Sequence, residues 1–339
     1  METKVFEKDE VAQAAALIKA GEVVAFPTET VYGLGADATD PKAAEKVFQA
    51  KHRPADNPLI VTVAGPEMVA QFATITPAAK KLMDEFWPGP LTIILNILPG
   101  KLSMVVTGGL QTAAFRMPAN PLTRQMITLA GRPIVGPSAN ISGKPSGTRP
   151  EHVLHDFDGA IAGILDDGPT TVGVESTVID MTVTPPAILR PGKITPELLA
   201  PVIGEVQSDH HQVGAQETPK APGMKYKHYA PSAQVVIVDH PADFPAALKW
   251  AQGQGKPFGV LATDDLLTDV PSAVPTYSLG RDVTSATHNL FAGLRWFDLH
   301  PTVTVILAEA FGQEGLGTAY MNRLNKSAGN DHFDPDQPA

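Results

Sequence analysis

The sequence predicts an α/β protein: a twisted mixed sheet with flanking helices, followed by a smaller doubly wound domain. Three observations carry this prediction. Short β-branched runs alternate irregularly with helices through residue 206, apolar periodicity stops over 207–231, and beyond it strands and helices alternate strictly. At 339 residues the chain has length for about two domains.

The helices of the first part are announced by proline. Asp40-Pro41, Thr76-Pro77, Asn120-Pro121 and Thr195-Pro196 each set a capping side chain before proline at the first helical position, where its missing N–H costs nothing. Strands are predicted over 22–26, 59–63, 91–97, 113–117, 161–165, 176–181 and 187–190. Their order is not a regular βαβ alternation, so one sheet with both parallel and antiparallel pairs is expected. The polar, Pro- and Gly-rich segment 207–234 reads as a linker. After it come a strand at 235–239, helix 241–252, strand 258–262, helix 285–297, strand 303–307 and helix 318–326, a doubly wound pattern. The expected organisation is therefore 1–206, 207–234 and 235–339.

Composition closes several routes. With 43% hydrophobic and 18% charged residues the chain is not predominantly disordered. It has no cysteine, which excludes disulfides, a thiol nucleophile and thiolate metal sites. The longest apolar stretch, 91–98, is interrupted by Thr92 and Asn96 and falls far short of the roughly 20 residues that span a bilayer. The charged start METKVFEKDE lacks the apolar core of a secretory signal, so a cytoplasmic protein is expected. The net charge of -10, with 6 basic against 12 acidic residues over 232–339, argues against indiscriminate binding to nucleic acid.

Polar motifs gather in loops after the predicted strands. PTETVYGLG (27–35) offers the hydroxyls of Thr28, Thr30 and Tyr32 beside Gly33 and Gly35. Lys51, Arg53 and Asn57 lie in a proline-stiffened loop suited to phosphate, or else form a charge cluster closing a helix. Arg116 interrupts a strand built for burial and demands a carboxylate or phosphate; Asp84 or Glu85 would be a protein-borne alternative. The stretch 134–148 runs from a strand into a loop with Ser138, Asn140, Ser142, Lys144, Ser146 and Thr148, a cradle for a polyphosphate without the P-loop pattern. Asp166-Asp167-Gly168 reads as a turn or as a carboxylate near a metal-bound nucleotide, and Ser176 and Arg190 follow on later strands. His152 and His155 lack a third ligand at helical spacing, so no protein-held metal is expected.

In this order, PTETVYGLG, KHRPADNPL, FWPGPLT, FRMP, PSANISGKPSGT, ESTVID and ILRPG resemble the YrdC-type domain of threonylcarbamoyl-adenylate synthases over residues 9–200. PGMKYKHYAP and GLGTAYMNRLNKSA resemble the longer form of that family, which adds a small Rossmann-like domain. The resemblance implies a nucleotidyltransferase that joins L-threonine, bicarbonate or CO2, and ATP into threonylcarbamoyl-AMP, releasing pyrophosphate. A separate transferase complex then uses the product at adenosine 37 of tRNA, which this chain itself need not touch. Carried over by motif, the threonine side comprises Thr30, Thr62, Arg116, Ser138 and Ser176. The ATP side comprises Lys51, Arg53, Asn57, Thr112, Asn140, Thr148, Arg190 and Tyr229. Thr62 departs from the pattern, since many members have His there. No protein nucleophile is implied: Lys51, Arg53 and Arg116 would act by positioning and charge neutralisation, with Mg²⁺ held largely by ATP. The linker, with Lys225, Lys227, His228 and Tyr229, would close over the nucleotide. The competing readings are an RNA-binding module using Lys51, Arg53, Lys144, Arg149, Arg190 and Lys193, and a carbamoyl-adenylate enzyme with another acceptor.

Overall fold

The computed structural model describes residues 2–54, 57–208, 220 and 228–336. The chain forms two compact units, one of Met1–Ser142, Gly147–Thr171 and Glu175–Tyr226, the other of Gly143–Ser146, Val172–Val174 and Lys227–Ala339. Of the expected linker 207–234, residues 209–219 and 221–227, including Lys225 and Lys227 of the expected strap, lie outside the described residues.

The first unit is a mixed sheet. Its strands are β1 (Lys4–Phe6), β2 (Val24–Phe26), β3 (Gly33–Asp37), β4 (Ile60–Thr62), β5 (Leu91–Asn96), β6 (Thr112–Arg116), β7 (Ile134–Val135), β8 (Gly163–Leu165), β9 (Thr177–Asp180), β10 (Ala187–Arg190) and β11 (Gln207–Ser208). They lie in the order β1-β8-β2-β3-β7-β4-β6-β5-β9-β10-β11. Parallel pairs such as β4·β6 and β5·β9 sit beside antiparallel ones such as β5·β6 and β4·β7, as the irregular strand spacing implies. The proline-started helices are present at Pro41–Ala50, Pro77–Phe86, Pro121–Ala130 and Pro196–Ile203. Asp40, Thr76 and Asn120 accept the first-turn N–H groups of Lys42, Ala79 and Thr123, whereas Thr195 makes no side-chain cap bond.

A further expectation fails. Gly33–Asp37, read as loop, is a fully buried strand. Its glycines mask it, because glycine is a poor strand former, yet the packing requires them. β2 pairs with β3 so that Phe26 faces Gly33, and a Cβ at Gly33 would lie 2.3 Å from the Phe26 ring.

Period-2 alternation builds the layers on the sheet. Val61, Ile93 and Phe115 enter the main core, while Ile60, Ile94, Ala114 and Val178 form a separate small apolar floor with Ala187 and Leu189. Burying each large apolar side chain contributes about 1.5–3 kcal/mol.

The second unit carries the four-stranded sheet of β12 (Gln234–Val238), β13 (Phe258–Ala262), β14 (Thr276–Ser278) and β15 (Val305–Glu309), all parallel in the order β12-β15-β13-β14. Helices Phe244–Gly253, Val283–Asp298 and Leu316–Ala328 accompany it. β14 and the helix Asp264–Leu267 are additions to the predicted pattern, hidden by their polar sequences. Within this unit Ala230 N–H donates to the Gly143 carbonyl, Arg295 Nε donates to Pro145 O at 2.8 Å, and the Tyr229 ring lies 5.1 Å from that of Phe291.

Candidate functional site

The site grows from the same alternation that makes the apolar floor. One same-face step beyond Ile60, Ile94, Ala114 and Val178 come Thr62, Thr92, Arg116 and Ser176, in strands or strand ends that neighbour one another in the order β4-β6-β5-β9. The strand directions bring these four to one end of the sheet: Thr62 is in register with Arg116, Ile93 with Phe115, and Thr92 with Val178. A polar row thus ends an apolar surface, and all four residues are buried.

Arg116 is the centre of this row. Its Nη1 donates to Thr30 Oγ1 at 2.8 Å, its Nη2 to Glu29 Oε1 at 2.7 Å, and its Nε to the Gly89 carbonyl at 3.4 Å. Its buried charge is therefore matched by Glu29, a partner absent from the sequence reading. The alternatives weighed there are not its partners: Asp84 is bound by Lys80 one helical turn away, and the arginine's described ion pair is with Glu29. The signal that could have found Glu29 was present: it is the carboxylate within PTETVYGLG, and a buried arginine requires one. Thr28 Oγ1 lies 2.9 Å from Thr30 Oγ1, continuing the hydroxyl line. Thr62 is confined from the other side, since a Cβ on Gly136 would sit 2.3 Å from its Oγ1.

A second cluster forms around Lys51, the C-cap of helix Pro41–Ala50. Its buried ammonium donates to the carbonyls of Ser138 at 2.5 Å and Asn140 at 2.7 Å, bracing the loop that follows β7. Ser138 Oγ donates to Asn140 Oδ1, and Asn140 Nδ2 donates to Ile141 O at 2.8 Å. Arg53 lies over the Phe48 ring and donates to Asn57 O at 3.1 Å. Asn57 itself is fully buried, and neither side-chain polar atom has a protein partner among the described residues. A buried amide left so is costly unless a ligand or water satisfies it.

The third cluster joins Ser176 to Arg190. Arg190 Nη2 donates to Ser176 Oγ at 3.2 Å and its Nε to Ser176 O at 3.1 Å, while Thr92 Oγ1 lies 2.7 Å from Ser176 Oγ. Thr92 is a further residue that sequence reading missed; its signal was a lone hydroxyl inside LTIIL. Thr112 opens β6, half-buried opposite Asn96. Thr148 is buried and its N–H donates to His152 Nδ1 at 3.2 Å. Neither is bonded into the three clusters by the contacts described above, and Tyr229 belongs to the second unit.

Asp166-Asp167-Gly168 is a turn: Asp166 Oδ1 accepts the Gly168 N–H, and Asp167 is held by Lys8 at 2.6 Å and by Asn120 at 2.6 Å. Tyr32 donates to Gly168 O at 2.8 Å, and burial holds its hydroxyl well above the usual tyrosine range, so it stays protonated. Beside this turn a cavity of about 260 Å³ is lined by Thr28, Glu29, Asn120, Asp167 and Thr170 among others. Among the described residues no group of three His, Asp or Glu side chains is placed to hold a metal ion, and no helix is long and apolar enough to cross a membrane.

The chain thus joins a mixed sheet with a polar row at one end to a small unit built on a parallel sheet. The family model described as telomere recombination, that of Sua5, YciO and YrdC, matches residues 16–192, and the model of the threonylcarbamoyl-AMP synthase C-terminal domain matches 194–329. The threonylcarbamoyl-AMP synthase of Bacillus subtilis is 48% identical over 324 residues, covering 94% of this chain and 93% of the relative. That of Pyrococcus abyssi is 47% identical, covering 93% of each. The crystal structure of P. abyssi Sua5 complexed with L-threonine matches with a TM-score of 0.91 at 43% identity, covering 98% of this chain and 99% of that one. The chain belongs to the threonylcarbamoyl-AMP synthase family.

Proposed function

We propose that this chain is a nucleotidyltransferase that makes threonylcarbamoyl-AMP and pyrophosphate from L-threonine, bicarbonate or CO2, and ATP. The observation that carries the reading is Arg116. A guanidinium has five N–H donors, and the three contacts described leave two for a ligand, the number that a carboxylate accepts bidentately. The relatives' name and the threonine in the P. abyssi structure support threonine as the source of that carboxylate.

The chemistry needs no protein nucleophile. The threonine amine attacks CO2, forming a C–N bond and, on losing a proton, a carbamate. A carbamate oxygen then attacks the α-phosphorus, and the bond to the bridging oxygen breaks as pyrophosphate leaves. In this reading Arg116, Thr30, Thr62, Ser138 and Ser176 hold threonine, while Lys51, Arg53, Asn57, Thr112, Asn140, Thr148, Arg190 and Tyr229 serve ATP. The orphaned amide of Asn57 supports a ligand on that side. Positioning and charge neutralisation then supply the rate. Mg²⁺ would enter largely as the ATP complex, offsetting the charge of the phosphates. The product passes to a separate transferase acting on tRNA, and the reaction is assigned to the cytoplasm.

The test is incubation with ATP, Mg²⁺, L-threonine and labelled bicarbonate, followed by prompt mass spectrometry and a pyrophosphate assay, with serine and no-amino-acid controls. Labelled threonylcarbamoyl-AMP and pyrophosphate are expected with threonine only. ATP binding without either product would refute the assignment.

A further inference from the structure

We propose that Glu29 is a positioning residue for threonine: it fixes the Arg116 guanidinium so that the two remaining N–H groups meet the substrate carboxylate. The inference rests on the reading of Arg116 as the carboxylate clamp and adds a residue to it. Glu29 is anchored at three points. Oε1 accepts Arg116 Nη2 at 2.7 Å, Oε2 accepts the Ala119 N–H at 3.0 Å, and its own carbonyl accepts the Thr171 N–H at 3.1 Å. Both side chains of the pair are nearly sealed from water, 9% exposed for Arg116 and 11% for Glu29.

These anchors make orientation, rather than charge alone, the function of Glu29. A carboxylate beside Arg116 weakens the arginine's pull on a second carboxylate, so on charge alone Glu29 would oppose threonine binding. What it supplies is a fixed fork, and binding a rigid planar ligand bidentately depends on that. The two oxygens must both accept, one from Arg116 and one from the Ala119 N–H. An amide cannot do this. If its oxygen faces Arg116, its NH2 meets the Ala119 N–H; turned over, its NH2 meets the guanidinium.

Glu29→Gln therefore loosens Arg116 while keeping volume, which matters because Glu29 also lines the 260 Å³ cavity and truncation to Ala would open it further. In steady-state assays of the full chain, Glu29→Gln is expected to raise KM for threonine about 10- to 100-fold, with KM for ATP and kcat within a few-fold of wild type, and to weaken threonine in calorimetry without ATP by the same factor. Glu29→Asp keeps the charge but is one methylene too short to reach both partners, so it should also raise the threonine KM; it maintains the test if the amide variant folds poorly. A threonine KM unchanged in both variants while the melting temperature falls would make Glu29 a structural brace and overturn the proposal. Full recovery in Glu29→Asp alone would make charge the determinant and overturn it as well. If wild type itself forms no threonine-dependent product, the functional reading fails, a result distinct from either.

Discussion

The two units bury polar groups in opposite ways. In the first, a row of hydroxyls and a guanidinium, Thr62, Arg116, Thr92 and Ser176, crosses four neighbouring strands at one end of a face, beside the apolar floor of Ile60, Ile94, Ala114 and Val178. In the second, the parallel strands β12, β15 and β13 are largely buried, and the buried carboxylate Glu309 is the last residue of β15, accepting the Thr263 N–H at 2.7 Å. The difference follows from strand direction and cover. A mixed sheet lets antiparallel neighbours bring residues from opposite strand ends to one edge, so a polar row can be laid across it while an apolar floor holds it in place. A parallel sheet covered on both faces reads as continuous apolar runs and admits charge only where its strands stop. Chemistry in the first unit is thus distributed along a row, and each member can be removed separately.

Removing the centre of the row has the largest expected effect. Arg116→Ala should weaken threonine binding by about 2–5 kcal/mol and leave ATP binding largely intact. Calorimetry with each ligand checks this; loss of ATP affinity with threonine retained would exchange the roles of the two sides. Next comes the backbone that carries the row. Gly33→Ala places a Cβ against the Phe26 ring and should destabilise the first unit by about 1–3 kcal/mol. Thermal and urea unfolding report it, and an unchanged midpoint would show that β3 has room to move.

A smaller effect tests the edge of the row. Thr92→Val keeps shape and removes the hydroxyl 2.7 Å from Ser176 Oγ. Because Arg190 already donates to Ser176 Oγ, the hydroxyl of Thr92 helps fix where the serine proton points. The threonine KM should rise by about 1 kcal/mol, some five-fold. No change would leave Ser176 oriented by Arg190 alone.

The smallest effect lies in the second unit. Burial raises the Glu309 carboxyl above its ordinary 4.5. Between 4.5 and that raised value the folded state keeps a proton that the unfolded state has lost, so the contribution of Glu309 is full below 4.5 and disappears as pH rises through the folded value. Glu309→Gln should flatten this part of the profile and be at least as stable as wild type at neutral pH. Melting curves collected from pH 4 to 7 check this; parallel profiles for the two proteins would contradict it.

Much of this organisation is legible in the sequence where the cause is local. Capping residues before Pro41, Pro77 and Pro121 announce helices because cap and proline act within one turn. Strands such as Ala187–Arg190 announce themselves by side-chain type. The site motifs stand out because hydroxyls, amides and cations crowd into loops after strands. What escapes the sequence is set by distant partners. Gly33–Asp37 becomes a strand because Phe26 covers it, against the propensity of its glycines. Glu29 and Arg116 are 87 residues apart and meet only once β6 and the loop after β2 have been placed, so a nearby carboxylate such as Asp84 is the wrong guess. The turn at Asp167 likewise depends on Lys8, far away in the chain.

A carboxylate is expected to complete the fork of Arg116 while Glu29 stays in place. A crystal structure with L-threonine bound tests it most directly. The threonine carboxylate is expected within about 3 Å of Arg116, with the bonds from Glu29 to Arg116 and to the Ala119 N–H retained. Threonine bound elsewhere, or Glu29 displaced by the incoming carboxylate, would contradict it.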